Sequence, residues 1–442
     1  MSDSVPTLKR RARSPERGAV ATVHLWGHEV GAVAEDPQSG RVVFEYAEQF
    51  RSSGLEISPI HLPLTRSGPQ TFDELARSRS FLGLPGVLAD SLPDAFGNAI
   101  ITQFFEQQGR PEASLSAVQR LLYVGSRGMG ALEFRPPTNT RVPELTTEAL
   151  EVASLVDQAR RVIEGDTRVA LPEIMQVGAT AGGARAKGLI LWDRARDRVR
   201  SGFAAPERGE EPWIIKFDGV TAARGGHELT RDFRPGPYGR IEYAYSRLAR
   251  RAGITMAETH LLREREYAHF MTKRFDRVGT ERLHLHSLGG LLHADYDIRQ
   301  LVSYEEYLRT IQELELGAPA VLEGYRRMVF NLAARNQDDH VKNFAFLMDE
   351  SGKWSLAPAY DLIYSVGGQW AATHQMRANG RDDGFTRDDL LAVGAKFNLP
   401  GDGKEVLREV EDALAHWPEE AAATGLGGVE IGKIGEAFRR FG

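Results

Sequence analysis

Asp338, Asn343 and Asp361 are the residues whose types and spacing are best suited to chemistry. Asp338 and Asn343 stand five residues apart in the run Asp338-Asp339-His340-Val341-Lys342-Asn343, and Asp361 follows 18 residues later in Leu356-Ala357-Pro358-Ala359-Tyr360-Asp361. A carboxylate to take the proton of an acceptor hydroxyl, then an amide and a second carboxylate offering hard oxygens to Mg2+, is what phosphoryl transfer from ATP requires. Each residue alone would be an ordinary cap or turn former. The two acids with His340 also fit an unrelated divalent-metal hydrolase. In the phosphoryl reading His340 orders the loop, since that mechanism needs no imidazole base. An apolar strand over residues 344–347 would hold Asn343 on a rigid edge.

Such a site also needs cations. In Trp213-Ile214-Ile215-Lys216-Phe217, Ile214 and Lys216 share one strand face, so an ammonium emerges from an apolar strand and can reach phosphates. The alternative is an edge lysine that blocks sheet association. Upstream, Gly182-Gly183-Ala184-Arg185-Ala186-Lys187 can bring backbone N–H groups to phosphate with Lys187 adding charge. It has neither GxxxxGK[ST] nor GxGxxG spacing, and a plain turn is its alternative. In the segment Met271 to Arg277, backbone groups near Lys273 and Phe275 are placed to read an adenine edge with Asp276 near the ribose, or Phe275 simply anchors a strand end. Glu242 could pair with a basic group in the cleft, but a solvated first-turn acid favoured by its helix N-terminus is the preferred reading, and it is not taken as a catalytic group.

The elements that must position these residues alternate along the chain. Strands are expected over 21–26, 30–33, 131–134, 188–192, 212–217 and 269–275. Helices are expected over 98–107, 148–163, 241–252, 304–314, 319–334, 389–393, 404–415 and 433–441, with mixed material over 72–77 and 82–92. Pro136-Pro137 and the polar stretch behind them read as a linker. The expected division is a basic leader over 1–20, a first subdomain over 21–137, a strand-containing lobe over 148–276 and a mainly helical lobe over 277–442.

A chain of 442 residues and 49.0 kDa, 42% hydrophobic, can fill two or three cores. It has no cysteine, which excludes disulfides, thiolate nucleophiles and Cys-ligated metals and fits a reducing cytoplasm. No apolar run long enough to span a bilayer and no signal-peptide core is present, so no membrane association and a cytoplasmic location are expected. A net charge of -6 argues against a surface that coats nucleic acid. Lys9, Arg10, Arg11, Arg13 and Arg17 make only the leader basic, and a disordered, solvated tail is the expectation there.

Taken in order, these motifs resemble the HipA family of bacterial serine/threonine kinases, the toxin half of type II toxin-antitoxin pairs. The resemblance covers nearly the whole chain after the leader. It implies an α+β, divergent two-lobed protein-kinase-like fold with an additional amino-terminal subdomain, here the region around Leu92-Pro93-Asp94 and Gly125 to Phe134. It implies that Asp338 is the catalytic aspartate, that Asn343 and Asp361 hold Mg2+ and that Lys216 contacts ATP phosphate. By the same resemblance residues 182–187 are the nucleotide loop, 273–277 the inter-lobe connector, and His340 lies near the nucleotide. Family members inactivate themselves by autophosphorylating a serine just before the nucleotide loop. Thr180 stands there, a stiffer β-branched hydroxyl, and Arg185 stands where some relatives carry glutamine. The resemblance further implies a protein substrate such as an aminoacyl-tRNA synthetase, growth arrest or persistence, and a HipB-type helix-turn-helix antitoxin that carries the contact with operator DNA. A small-molecule kinase and an inactive antitoxin-binding or DNA-binding scaffold are the rival functions.

Overall fold

The computed structural model describes residues 18–36, 38–93, 95–107, 109, 115–136, 150–164, 185–223, 228–229 and 235–441. Within them the fold is α+β.

The first sheet has the order β3-β2-β1-β4, formed by β1 (Val20–Leu25), β2 (His28–Glu35), β3 (Val42–Tyr46) and β4 (Leu132–Arg135). Period-two alternation puts Ala21, Val23 and Leu25 of β1 on the inner face, where Phe44, Phe81, Leu88, Leu121 and Phe134 close the core. The Ala117–Val124 helix over that face opens on a capping box, in which Ser116 and Gln119 satisfy each other's backbone N–H.

The second sheet runs β6-β5-β7-β10-β9, with β5 (Arg185–Asp193), β6 (Arg198–Ser201), β7 (Glu210–Ala223), β9 (Thr259–Glu264) and β10 (Tyr267–Lys273); the two-residue β8 (Glu228–Leu229) pairs with the end of β7. All its pairings are antiparallel. One face of β7, with Trp213, Ile215 and Phe217, is buried against Phe96, Ile100 and Phe105 of the Ala95–Gln107 helix. Because β7 is flanked by β5 and β10, Lys216 is not an edge lysine. It points to the other face, toward the helical lobe.

Beyond the small hairpin of β11 (Arg277–Val278) and β12 (Glu281–Arg282), the chain is helical but interrupted by a third sheet. Its strands are β13 (His284–Ser287), β14 (Ala345–Met348) and β15 (Trp354–Leu356), with the buried β14 in the middle. The largest core lies among the Tyr238–Arg251, Tyr304–Glu313, Ala318–Ala333 and Lys404–Ala415 helices, around Tyr245, Tyr304, Tyr325, Phe330 and Trp417. The helix expected over 433–441 instead spans Gly428–Ala437. Its tail leaves the helical path so that Arg439 N can donate to Ala333 O at 2.9 Å.

The first subdomain is bonded into the rest of the chain. Asp90 accepts from Ser287 N (2.7 Å) and Ser287 Oγ (2.6 Å) and pairs with His286 Nδ1 (2.7 Å). Beneath this contact Gly86 and Gly290 bring the Gly86–Ala89 and Leu288–Leu291 turns backbone to backbone, where any Cβ on Gly86 would overlap the Gly290 carbonyl. Ser78 and Ser80 donate to Asp295 at 2.6 and 2.5 Å.

Candidate active site

Lys216 leaves the centre of β7 almost fully buried, and two carboxylates meet its ammonium. Glu242 Oε1 accepts from it at 2.6 Å, and Asp361 Oδ1 accepts from it as well. Glu242 lies in the first turns of the Tyr238–Arg251 helix, and its Oε2 takes the Arg185 guanidinium, which also lies 5.7 Å from the Tyr238 ring centre. Lys187 stands opposite Lys216 in the β5–β7 register and is buried. Burial pushes the Asp361 carboxyl up, but the charges of Lys216, Lys187 and Arg185 outweigh it and hold the group well below the usual carboxylate range.

Asp361 has φ 54°, a left-handed conformation that a short polar side chain tolerates better than most. The chain around it is tied to the segment before Asp338: Gln337 N donates to Ser365 O and Ser365 N to Arg335 O, both at 3.1 Å. Tyr360 Oη donates to Lys342 O at 2.6 Å. Asn343 Nδ2 donates to Asp338 O at 2.8 Å, which leaves Asn343 Oδ1 without a protein partner among the described residues. Lys216, Asp338, Asn343 and Asp361 are therefore brought together.

Asp338 keeps 31% of its side chain exposed. Burial around it raises its carboxyl, which His340 and a hydrogen bond from Trp370 Nε1 (2.6 Å to Oδ1) oppose. The adjacent Asp339 differs in kind. It is fully buried and accepts from Tyr304 Oη, His374 Nδ1 and Gln375 N at 2.6 to 2.8 Å, so it anchors the loop. His340 is buried beside Tyr296, its Nε2 3.9 Å from Asp338 Oδ1.

Several expected nucleotide contacts are placed otherwise. Asp276 is fully buried, with Arg274 on both oxygens and with Arg277 NH1 and Gly130 N on Oδ2 at 2.7 Å each, so no oxygen is left for a ribose. It joins the first subdomain to the second sheet. Burial raises its carboxyl, but Arg274 and Arg277 pull it down to about 2. Burial acts against the charged form of Arg277 too, yet the carboxylate's direction governs the cluster because a guanidinium stays protonated in proteins. Lys273 pairs with Glu211, and its backbone N–H is spent on Glu258 O at 2.8 Å, so that N–H is not open to an adenine edge. Phe275 stacks on Tyr360, with ring centres 5.4 Å apart. Thr180, Gly182, Gly183 and Ala184 lie outside the described residues, as does Asp94.

At Glu242 the less favoured of the two expected surroundings is the one found, and Trp370 was not anticipated from the sequence. Glu242 is not solvated: it is 1% exposed and fixes the Lys216 ammonium. An acid three residues before an aromatic on the buried face of an amphipathic helix was the available signal. Trp370, 32 residues from Asp338, carried none.

Residues 21–135 match the HipA N-terminal domain and residues 179–417 the HipA-like C-terminal domain. The chain is 28% identical over 137 residues to a Haemophilus influenzae protein named "Putative kinase", across 28% of this chain and 40% of the relative. It is 27% identical over 131 residues to "Putative kinase Y4dM" of Sinorhizobium fredii, across 29% of this chain and 32% of the relative. These matches span well under half of either relative's length. Among solved structures, HipA of Shewanella oneidensis MR-1, determined with HipB and its operator DNA, superposes with a TM-score of 0.63 at 18% identity, over 94% of this chain and 95% of that one. No helix among the described residues is long and apolar enough to cross a membrane. With both family domains matched in order over most of its length, the chain belongs to the HipA family.

Proposed function

We propose that this chain is a Mg-ATP-dependent serine/threonine protein kinase and the toxin of a type II toxin-antitoxin pair. The observation that carries the reading is the contact of Lys216 with Asp361 beside the Asp338–Asn343 loop. A cation and two hard-oxygen ligands thereby face the carboxylate that would take a proton.

The donor set fits magnesium. Asn343 and Asp361 each hold one oxygen clear of their hydrogen bonds to protein, and Mg2+ needs only one or two side-chain ligands beside phosphate and water. Bound Mg-ATP would supply the transferable phosphoryl group and neutralise charge on its oxygens. Lys216, oriented by Glu242, would bind phosphate; Asp338 would accept the acceptor's proton and aim its oxygen in line. His340 orders the loop between them. Residues 182–184, with Arg185 and Lys187, would cover the nucleotide, and Thr180 is the hydroxyl available for self-inactivation.

The family, the two relatives named as kinases and the HipB–DNA complex of the Shewanella protein support the wider reading. It comprises a protein acceptor such as an aminoacyl-tRNA synthetase, a HipB-type antitoxin that reads operator DNA, and a cytoplasmic site of action. The test is phosphoproteomics of a lysate given ATP and either the intact chain or Asp338→Ala, repeated on purified candidates. New phosphoserine or phosphothreonine with the intact chain alone supports the reading, and phosphate found only on metabolites contradicts it.

A further inference from the structure

Trp370 touches the Asp338 carboxylate from 32 residues further along the chain. Its indole N–H donates to Asp338 Oδ1 at 2.6 Å, while Oδ2 has no protein donor among the described residues. The carboxylate is thus held by one oxygen and open at the other.

The placement of Trp370 is fixed from several sides. The buried Gln375 amide donates to Trp370 O at 2.6 Å and to Gln337 O at 3.1 Å, joining the tryptophan to the residue just before Asp338. Gln375 N binds Asp339 Oδ1 at 2.8 Å, so one residue grips both sides of Asp338. The preceding turn closes through Gly367 N to Ala371 O at 2.9 Å, with Gly367 at φ 109° and Gly368 at φ 65°, and Arg299 holds Gln369 O at 2.7 Å. The His340 ring lies on the same side, 6.3 Å from the indole. This is more restraint than a surface tryptophan needs for packing.

We propose that Trp370 is a positioning residue for the acceptor half of the reaction: its indole N–H locks Asp338 Oδ1, so that Oδ2 is the oxygen presented to the acceptor hydroxyl. In that step the hydroxyl proton passes to Oδ2 while the hydroxyl oxygen bonds to phosphorus and the phosphoryl–ADP bond breaks. The inference rests on Asp338 being the base.

The test replaces Trp370 with phenylalanine, which keeps a ring and removes the N–H. Transfer of labelled phosphate from ATP to lysate protein is followed as ATP is titrated. The expected result is a maximal rate lowered roughly tenfold, as for loss of a hydrogen bond to a charged group, with the KM for ATP unchanged. An unchanged rate, or ATP affinity lost along with rate, overturns the proposal. No transfer by the intact chain overturns the kinase reading and this proposal together. Independently, among six indole N–H resonances of the tryptophan-labelled chain, the one missing in Trp370→Phe should shift most in Asp338→Ala. If it does not move, the contact is not made.

Discussion

Glu242 divides its carboxylate between Lys216 and Arg185, one oxygen to each, at the junction of the Tyr238–Arg251 helix with β5 and β7. The helix and the sheet are therefore registered by a buried charge rather than by packing alone. Replacing Glu242 with glutamine leaves two cations facing a neutral amide. Breaking a buried pair from one side costs about 3–5 kcal/mol, and the lower end applies because Lys216 keeps Asp361. Thermal unfolding should shift down, and calorimetric titration should show weaker ATP binding. Unchanged melting and ATP affinity in Glu242→Gln would remove Glu242 from the site.

The proposed magnesium ligands, Asn343 and Asp361, predict a graded response to metal. Chelation with EDTA should stop phosphate transfer, and Asn343→Ala should raise the Mg2+ concentration needed for half-maximal rate, with partial recovery at excess metal. Superimposable Mg2+ titrations for the intact and variant chains would mean that Asn343 is no ligand.

Two histidines make the joint of the first subdomain sensitive to acid. His284, bound through Nε2 to Ile57 O at 2.9 Å, is pushed down to about 4 by burial, and His293, which accepts from Gly86 N at 3.0 Å, to about 3 by burial and by His61. Both must stay neutral in the folded chain, whereas the unfolded chain protonates them near 6.5. Folding therefore loses stability as pH falls below about 6.5, by up to about 1.4 kcal/mol per pH unit for each, until the folded values are reached. Urea midpoints should fall between pH 7 and pH 5, and less so in His284→Asn. A flat profile over that window would show that these groups do not govern acid stability.

Asp90 predicts that the first subdomain supports the Asp338–Asn343 loop. Removing its carboxylate strands Ser287 N and His286 next to a turn whose Leu288 N donates to Phe344 O, one residue past Asn343. Asp90→Ala should cost about 2–4 kcal/mol from an unpaired buried group and lower phosphate transfer more than ATP binding. Equal loss of both would indicate general unfolding instead.

The legible parts of the chain were those set by local rules. The alternation of Ala21, Val23 and Leu25, the periodicity of the Ala318–Ala333 helix and the Asp338–Asn343 spacing each stand within a short window. The four-residue β13 and three-residue β15 are too short to show a period, and they exist because β14 pairs with both. Glu242 was misplaced because its sequence neighbourhood does not reveal the Lys216 ammonium, 26 residues away, that makes its burial tolerable. Asp276 has Arg274 and Arg277 beside it in the sequence, but nothing local shows that they and the distant Gly130 N–H enclose it in the interior. The Trp370 contact is wholly tertiary.

The most direct test of the whole account compares the intact chain with Asp338→Ala for transfer of labelled γ-phosphate to protein, with ATP binding measured in parallel. The account predicts that the variant binds ATP as the intact chain does and transfers at least about a hundredfold more slowly, the lower range for loss of a positioned base. Transfer by Asp338→Ala at the intact rate would contradict it.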